Sequence, residues 1–157
     1  MRVIICGGRD FYNHETVFDV LNRVHSRSFE IGHVITGGAP GADTIANKWA
    51  EQWTINHTIV YAKWKQGSDA GPARNTRMLL LKPHLVIAFP GGPGTANMIG
   101  QAHNALIPIL LSDASGALEW WDVGVVAEND VGRVINERVR HFHAQRVRIS
   151  QVRPSND

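Results

Sequence analysis

Short runs of consecutive apolar residues alternate along this chain with segments whose apolar residues recur at helical spacing. Residues 2–6 form the first run, which is rich in β-branched side chains and ends at a pair of glycines. A continuous apolar run of this length is typical of a strand buried on both faces of a parallel sheet. Residues 14–27 follow with apolar side chains spaced for one helix face, and Asn13 precedes them as a candidate cap. The pattern therefore predicts a strand, a glycine loop and a helix.

The same unit recurs through the rest of the chain. Further strands are predicted at residues 32–36, 57–61, 85–89 and 107–111, with a short edge strand at 125–126. Further helices are predicted after residue 41, over 72–81, from residue 95 to about 106 and over 129–143. Residues 112–124 have neither period and are predicted to form a loop. Such alternation favours an α/β fold with an open, doubly wound, mostly parallel sheet of about five or six strands and helices on both faces.

The length and composition fit one globular domain. We expect a single domain over residues 1–143, followed by a basic segment over residues 144–157. The chain has no apolar run long enough to cross a membrane, it begins without a signal-peptide pattern, and its single cysteine, Cys6, cannot form an internal disulfide. These features predict a cytoplasmic protein without membrane attachment.

The charge imbalance is concentrated near the C-terminus. The net charge is only +2, yet residues 133–153 contain six arginines and a single acidic residue, Glu137. Such a stretch is either an electrostatic footprint for nucleic acid or a solvated helix face. The sequence leaves both interpretations open.

Three glycine-rich segments each follow a predicted strand. They are residues 7–10, 37–43 and 91–95. Because ligands of doubly wound sheets bind beyond the carboxyl ends of the strands, we expect these loops to converge on one binding site. The glycines would let the backbone approach a ligand, and the helix that begins near Thr95 would favour an anion at its N-terminus. Neither the Walker pattern nor the dinucleotide pattern G-x-G-x-x-G is present, which disfavours ordinary NTPase or dehydrogenase chemistry.

Charged residues in and near these loops add to the predicted site. Arg9, Arg74 and Arg77 are the expected phosphate ligands, since the planar guanidinium suits bidentate recognition. Asp10 and Asp43 are predicted to cap helices or hold the loops, to bind ribose hydroxyls, or to act as catalytic carboxylates. Trp64 is the tryptophan best placed to stack on a base. The histidines form no metal-ligand pattern, so neither a metal nor a cofactor is predicted.

Four motifs together resemble one known family. They are Gly7-Gly8-Arg9-Asp10-Phe11, Gly37-Gly38-Ala39-Pro40-Gly41-Ala42-Asp43, Gly71-Pro72-Ala73-Arg74-Asn75 and Pro90-Gly91-Gly92-Pro93-Gly94-Thr95. In this order they are similar to the YspA/YpsA-related branch of the SLOG superfamily, over about residues 1–111. The resemblance implies a Rossmann-like sheet that binds nucleotides or nucleotide-derived ligands. The ligand-binding residues expected from the motifs are Gly7, Gly8, Arg9, Gly37, Gly38, Gly41, Asp43, Arg74, Asn75, Arg77, Pro90, Gly91, Gly92, Gly94, Thr95 and Asn97.

The resemblance also extends to the LOG-type phosphoribohydrolases, which cleave the base–ribose bond of nucleoside 5′-monophosphates. It implies that Arg74 corresponds to their arginine, whereas the position of their motif glutamate holds Met98. A thioether cannot replace a carboxylate in acid–base catalysis. We therefore expect binding or sensing of a nucleotide-type small molecule. The alternatives are an N-glycosidase that uses Asp43 or Asp10, and a DNA-associated protein similar to the DprA relatives of the superfamily.

An oligomer is expected by analogy with related folds. Such folds often dimerise through helices that flank the site, and Trp49, Trp53 and Met98 are the apolar helix residues predicted to serve that interface. We therefore expect a homo-oligomer.

Overall fold

A seven-stranded sheet forms the centre of the computed structural model, which describes residues 1–126 and 130–152. The strands are β1 (Arg2–Cys6), β2 (His33–Thr36), β3 (Asn56–Ile59), β4 (Leu85–Ala88), β5 (Ile109–Ser112), β6 (Leu118–Trp120) and β7 (Gly124–Val125). Their order in the sheet is β3-β2-β1-β4-β5-β6-β7. The first five strands of this order pair in parallel, and β6 and β7 continue the sheet in antiparallel pairing. The predicted Rossmann-like α/β fold is confirmed.

Five helices pack on the two faces of the sheet in the described part of the chain. They are α1 (His14–Val24), α2 (Ala42–Gln52), α3 (Ala70–Leu79), α4 (Pro93–Asn104) and α5 (Val131–Val152). One face of the sheet packs against α1, α2 and α5, and the other packs against α3 and α4. Strands β1 and β4 contribute alternate residues to both cores, which is why their sequences are continuously apolar.

Helix α1 begins as predicted and ends earlier. The Asn13 side chain accepts a hydrogen bond from the Thr16 backbone N–H at 3.2 Å, which caps the helix. The helix stops at Val24 rather than at residue 27, because the chain then turns so that Phe29 and Ile31 enter the core. Both side chains are almost fully buried.

The predicted loop over residues 112–124 is wrong. Asp113 organises a turn in which its Oδ1 accepts hydrogen bonds from the backbone N–H groups of Ser115 and Ala117. The chain then returns as β6 beside β5. A three-residue strand shows almost no period in sequence. This strand raises the strand number from the predicted five or six to seven, whereas β7 is the edge strand predicted at residues 125–126 and begins one residue earlier.

The last helix is longer than predicted. Helix α5 runs to Val152 without a break at residue 143, and its predicted first residue, 129, lies outside the described residues, as does Arg153. Val131, Ile135 and Val139 are buried against the core. Further along, Arg146 donates a hydrogen bond to the carbonyl of Leu106. None of the helices in the described part of the chain combines the length and apolar character needed to cross a membrane.

Two of the side chains proposed for an oligomer interface lie in the core. Trp49 is fully buried, with its Nε1–H donating to the Asn22 Oδ1 at 2.8 Å, and Met98 is 1% exposed. Trp53, just beyond α2, is 51% exposed. The assignment of Trp49 and Met98 to an interface is therefore wrong, since neither presents an accessible surface.

Candidate functional site

The strand order reverses between β1 and β4, and a cavity of about 740 Å³ opens beyond the carboxyl ends of the strands at this point. A topological switch point of this kind is where doubly wound sheets bind ligands. The volume lies within the range of small-molecule sites. The predicted site residues that line it are Gly7, Gly8, Arg9, Asp10, Gly37, Asp43, Arg74, Asn75, Pro90, Gly91, Gly92, Gly94 and Thr95.

The loops after β1 and β4 touch each other directly. The Gly8 backbone N–H donates to the Pro90 carbonyl oxygen at 2.8 Å. A Cβ at Gly8 would lie 2.9 Å from that oxygen, and a Cβ at Gly91 would lie 2.8 Å from the Gly8 nitrogen and collide with the Thr95 side chain. These two glycines therefore serve loop-to-loop packing, whereas Gly92 and Gly94 face open space.

Asp43 holds the loop after β2 in place. Its Oδ2 accepts hydrogen bonds from the backbone N–H groups of Gly37 at 3.1 Å and Ala39 at 3.2 Å. The side chain of Asp43 lines the cavity although the residue is only 5% exposed. Burial raises the pKa of this carboxyl to about 6, against the opposing effect of the two N–H donors and of Arg74. Oδ1 has no hydrogen-bond partner among the described residues, so this oxygen is available to a ligand.

Arg74 reaches from α3 to the same loop and lines the cavity. Its Nη1 donates to the Gly37 carbonyl at 3.0 Å, and its Nε donates to the Asn75 Oδ1 at 3.0 Å. Partial burial lowers the pKa of the guanidinium and the Asp43 carboxylate raises it, and an arginine stays protonated in such a setting. Nη2 makes no hydrogen bond to any residue the structure describes.

Asn75 links α3 to the first turn of α4. Its Nδ2 donates to the Gly94 carbonyl at 3.2 Å and to the Asn97 Oδ1 at 3.0 Å, while its Oδ1 accepts from Arg74. Gln101 completes the connection by donating to the same Asn97 oxygen at 2.8 Å. The Asn75 side chain therefore fixes Arg74 relative to the N-terminus of α4. The backbone N–H groups of that first turn have no intrahelical acceptors.

Aromatic side chains stand at the entrance of the cavity. Trp64, in a short 3₁₀ helix, is 60% exposed, and the Arg9 guanidinium lies 6.0 Å from the centre of its ring. Phe11 stacks on Phe89 with 5.7 Å between ring centres. Trp64 is therefore a largely exposed aromatic ring beside an exposed cation.

Four of the predicted ligand residues lie off the cavity lining. Arg77 donates to the Tyr61 carbonyl at 2.7 Å, and Asn97 is bonded to Asn75 and Gln101. Gly41 has a φ of +84° and lies against the Gly8 carbonyl, while Gly38 packs beside Ile59 and Tyr61. These residues support the loops and helices that shape the cavity.

The cavity also has lining residues that the sequence did not single out for ligand binding. They are Cys6, Phe11, Ala39, Met78 and Pro93. Cys6 is the last residue of β1, and burial raises the pKa of its thiol, which keeps it neutral. Its position at the end of a central strand is the signal that could have placed it at the site. Met98, at the glutamate position of the LOG-type motif, lies in the core on the opposite side of α4 from the solvent.

Metal ligands are not assembled at this site. Within residues 1–126 and 130–152, no three His, Cys, Asp or Glu side chains are placed together in a way that would hold a metal ion. The chemistry available to the cavity is that of arginine cations, the buried Asp43 carboxyl, the exposed Asp10 carboxyl, free helix N–H groups and an aromatic ring.

Comparison with known proteins supports the family resemblance. Residues 1–67 match the YspA, cpYpsA-related SLOG family. These residues include the first two glycine loops and the Asp43 carboxyl. The Gene 61 protein of Mycobacterium phage D29 is 34% identical to this chain over 118 residues, which cover 69% of this chain and 94% of that protein. The chain therefore belongs to the YspA, cpYpsA-related SLOG family.

Proposed function

We propose that this protein binds or senses a nucleotide or a nucleotide-derived small molecule in the cavity beyond β1 and β4. The observation that carries the proposal is the joint placement of Arg74, Arg9 and the N-terminus of α4 around one cavity at the switch point of the sheet. SLOG membership is consistent with a ligand of this class.

The phosphate would bind between Arg74 and the first turn of α4. Gly92 and Gly94 leave open space above the backbone, so an anion can approach the free N–H groups there. Arg74 contributes its Nη2 and a permanent positive charge from the opposite wall. Because Arg74 is partly buried, its interaction with phosphate is stronger than that of an arginine on an open surface.

The nucleoside would occupy the part of the cavity near Trp64 and Asp43. The largely exposed ring of Trp64 at the entrance suits stacking on a base. Asp43 presents Oδ1 as an acceptor for a ribose hydroxyl, while its Oδ2 is already used by the loop. The ligand would therefore extend from the Trp64 entrance to the Gly91 loop.

Calorimetric titration with adenosine 5′-monophosphate and with adenosine tests this proposal. The monophosphate is expected to bind and adenosine to bind much more weakly, since charged hydrogen bonds contribute about 1.5–3 kcal/mol each. Arg74→Gln is expected to weaken binding of the monophosphate by about 10–100-fold. Arg77→Gln is the matched control, because its guanidinium is engaged with Tyr61 outside the cavity. Unchanged affinity in Arg74→Gln would show that the phosphate lies elsewhere.

A second candidate function is hydrolysis of the base–ribose bond of a bound nucleotide by water. The observation that favours it is the Asp43 carboxyl, which lines the cavity, uses only Oδ2 to hold the loop, and has a pKa of about 6 that suits proton transfer near neutral pH. Incubation with nucleoside monophosphates, followed by chromatography for released base, tests this function. The hydrolysis would be established if Asp43→Asn no longer releases base but still binds the nucleotide. Asp10→Asn is the comparison variant for the same measurement. Absence of release would leave binding alone.

A further inference from the structure

A second, shallower cavity of about 340 Å³ lies on the other side of the Gly91 loop. The two cavities share one wall, which consists of Pro90, Gly91, Gly92 and Thr95. The first cavity lies over β1 and the loop after β2, whereas the second extends to β5 and β6. The proposed phosphate position therefore lies on the boundary between two concave surfaces.

The floor of the second cavity is apolar. Ala88 and Leu111 contribute from adjacent strands, and Ile99 contributes from α4. Ala96 lies on the exposed side of the first helical turn and forms part of the rim. An apolar floor of this kind accepts the flat face of a sugar or a ring.

The charged side chains that line the second cavity are acidic. Glu119 projects from β6, is exposed, and forms no ion pair or hydrogen bond with any described residue. Asp113 accepts hydrogen bonds from Ser115 and Ala117, which lower the pKa of its carboxyl and keep it ionised. Two carboxylates repel a phosphate but attract hydroxyl donors or a positive charge. The group suited to this cavity is therefore neutral or cationic.

We propose that the natural ligand has two parts joined through its phosphates. This inference rests on the proposed function: one nucleoside lies in the first cavity and the phosphates lie on the Gly91 loop. The second part, a sugar or a sugar that carries a cationic ring, lies in the second cavity against Glu119. The ligand class is thus a nucleoside diphosphate linked to a sugar, rather than a simple mononucleotide.

Titration with ADP and with ADP-ribose, which adds a single ribose to the diphosphate, tests the second cavity. ADP-ribose is expected to bind at least about tenfold more tightly than ADP. Ala96→Phe, which fills the second cavity, is expected to remove this gain and to leave ADP affinity within about twofold. Glu119→Gln is expected to weaken ADP-ribose by about threefold and leave ADP unchanged, since hydrogen bonds to charged groups are the stronger ones. Glu30→Gln, an exposed glutamate that lines neither cavity, is the control.

The outcomes separate this inference from the function on which it rests. Equal affinity of the wild-type protein for ADP and ADP-ribose would overturn the two-part ligand and leave nucleotide binding intact. A tenfold preference that survives Ala96→Phe would also overturn it, because the added ribose would then lie outside the second cavity. If neither ADP nor ADP-ribose binds, the proposed nucleotide site is wrong, and the two-part ligand that depends on it is wrong as well.

Discussion

The two cavities on either side of the Gly91 loop differ in charge. The first has Arg74 and Arg9 on its walls beside the buried Asp43 and the exposed Asp10, whereas the second has an apolar floor, two carboxylates on its rim and no cation among the described residues that line it. The same backbone segment forms the wall of both. A loop with free N–H groups therefore separates a surface that attracts an anion from one that repels it, and this contrast would fix the direction in which a phosphate-linked ligand lies.

The strongest way to break this arrangement is to enlarge Gly91. In Gly91→Val the new side chain would collide with Thr95 and press on the Gly8 nitrogen, so both cavities would lose their common wall. We expect a loss of about 3 kcal/mol in the free energy of unfolding, because the neighbours are backbone and a buried side chain. Urea denaturation measures it. Gly94→Ala, where a Cβ meets open space, is expected to stabilise the protein by about 0.5–1 kcal/mol instead. Equal stability of the two variants would contradict the packing role of Gly91.

The buried carboxyl of the first cavity should make stability depend on pH. The pKa of Asp43 is about 6 in the folded protein and 3.8 for an ordinary aspartate, so between these values the folded state holds a proton that the unfolded state has lost. The contribution of Asp43 to the free energy of unfolding is therefore most favourable below about pH 4. It falls by up to about 3 kcal/mol as the pH rises to about 6.

Asp43→Asn supplies the reference, since its Oδ1 can accept from both loop N–H groups. From pH 4 to pH 6, we expect the wild type to lose stability relative to Asp43→Asn. Above pH 7, the difference in unfolding free energy between the two proteins should stay constant. Urea denaturation at each pH gives this difference. Parallel curves across that range would show that the carboxyl titrates alike in both states.

The connection between α3 and α4 should matter less than the shared wall. In Asn75→Ala, the Gly94 carbonyl and the Asn97 amide lose a donor, and Arg74 loses an acceptor. We expect the free energy of unfolding to fall by about 1–2 kcal/mol. Affinity for the monophosphate should fall as well, because Arg74 is then less constrained, whereas Gln101→Ala should change affinity little. A variant with normal affinity would show that Arg74 does not need Asn75 for its position.

The sequence predicted the first cavity better than the second for a physical reason. The walls of the first are loops that follow long apolar strands, and both the strands and the glycines are visible as patterns. The second depends on β6, whose three residues carry no period, so neither that strand nor the position of Glu119 could be read from the sequence.

Side-chain roles were harder to predict than elements. Gly8 and Gly91 line the first cavity, as the sequence predicts, but they also pack against each other's loops, a role that the sequence did not indicate. Arg74 and Arg77 share a helix, yet one reaches the cavity and the other binds the Tyr61 carbonyl. Met98 and Trp49 look like surface candidates in a helical pattern but face the sheet. Each of these outcomes depends on which elements become neighbours, and helical spacing alone does not determine that.

The smallest expected effect concerns Trp64 at the entrance of the first cavity. Because its side chain is 60% exposed, Trp64→Ala should change the free energy of unfolding by less than about 0.5 kcal/mol. Stacking on a base should nevertheless be lost, which lowers affinity for adenosine 5′-monophosphate by about fivefold or more. Trp121→Ala is the matched control, since that ring lies against His103 and lines neither cavity. If both variants bind the monophosphate equally well, the base does not stack on Trp64 and the nucleoside must enter the first cavity in another orientation.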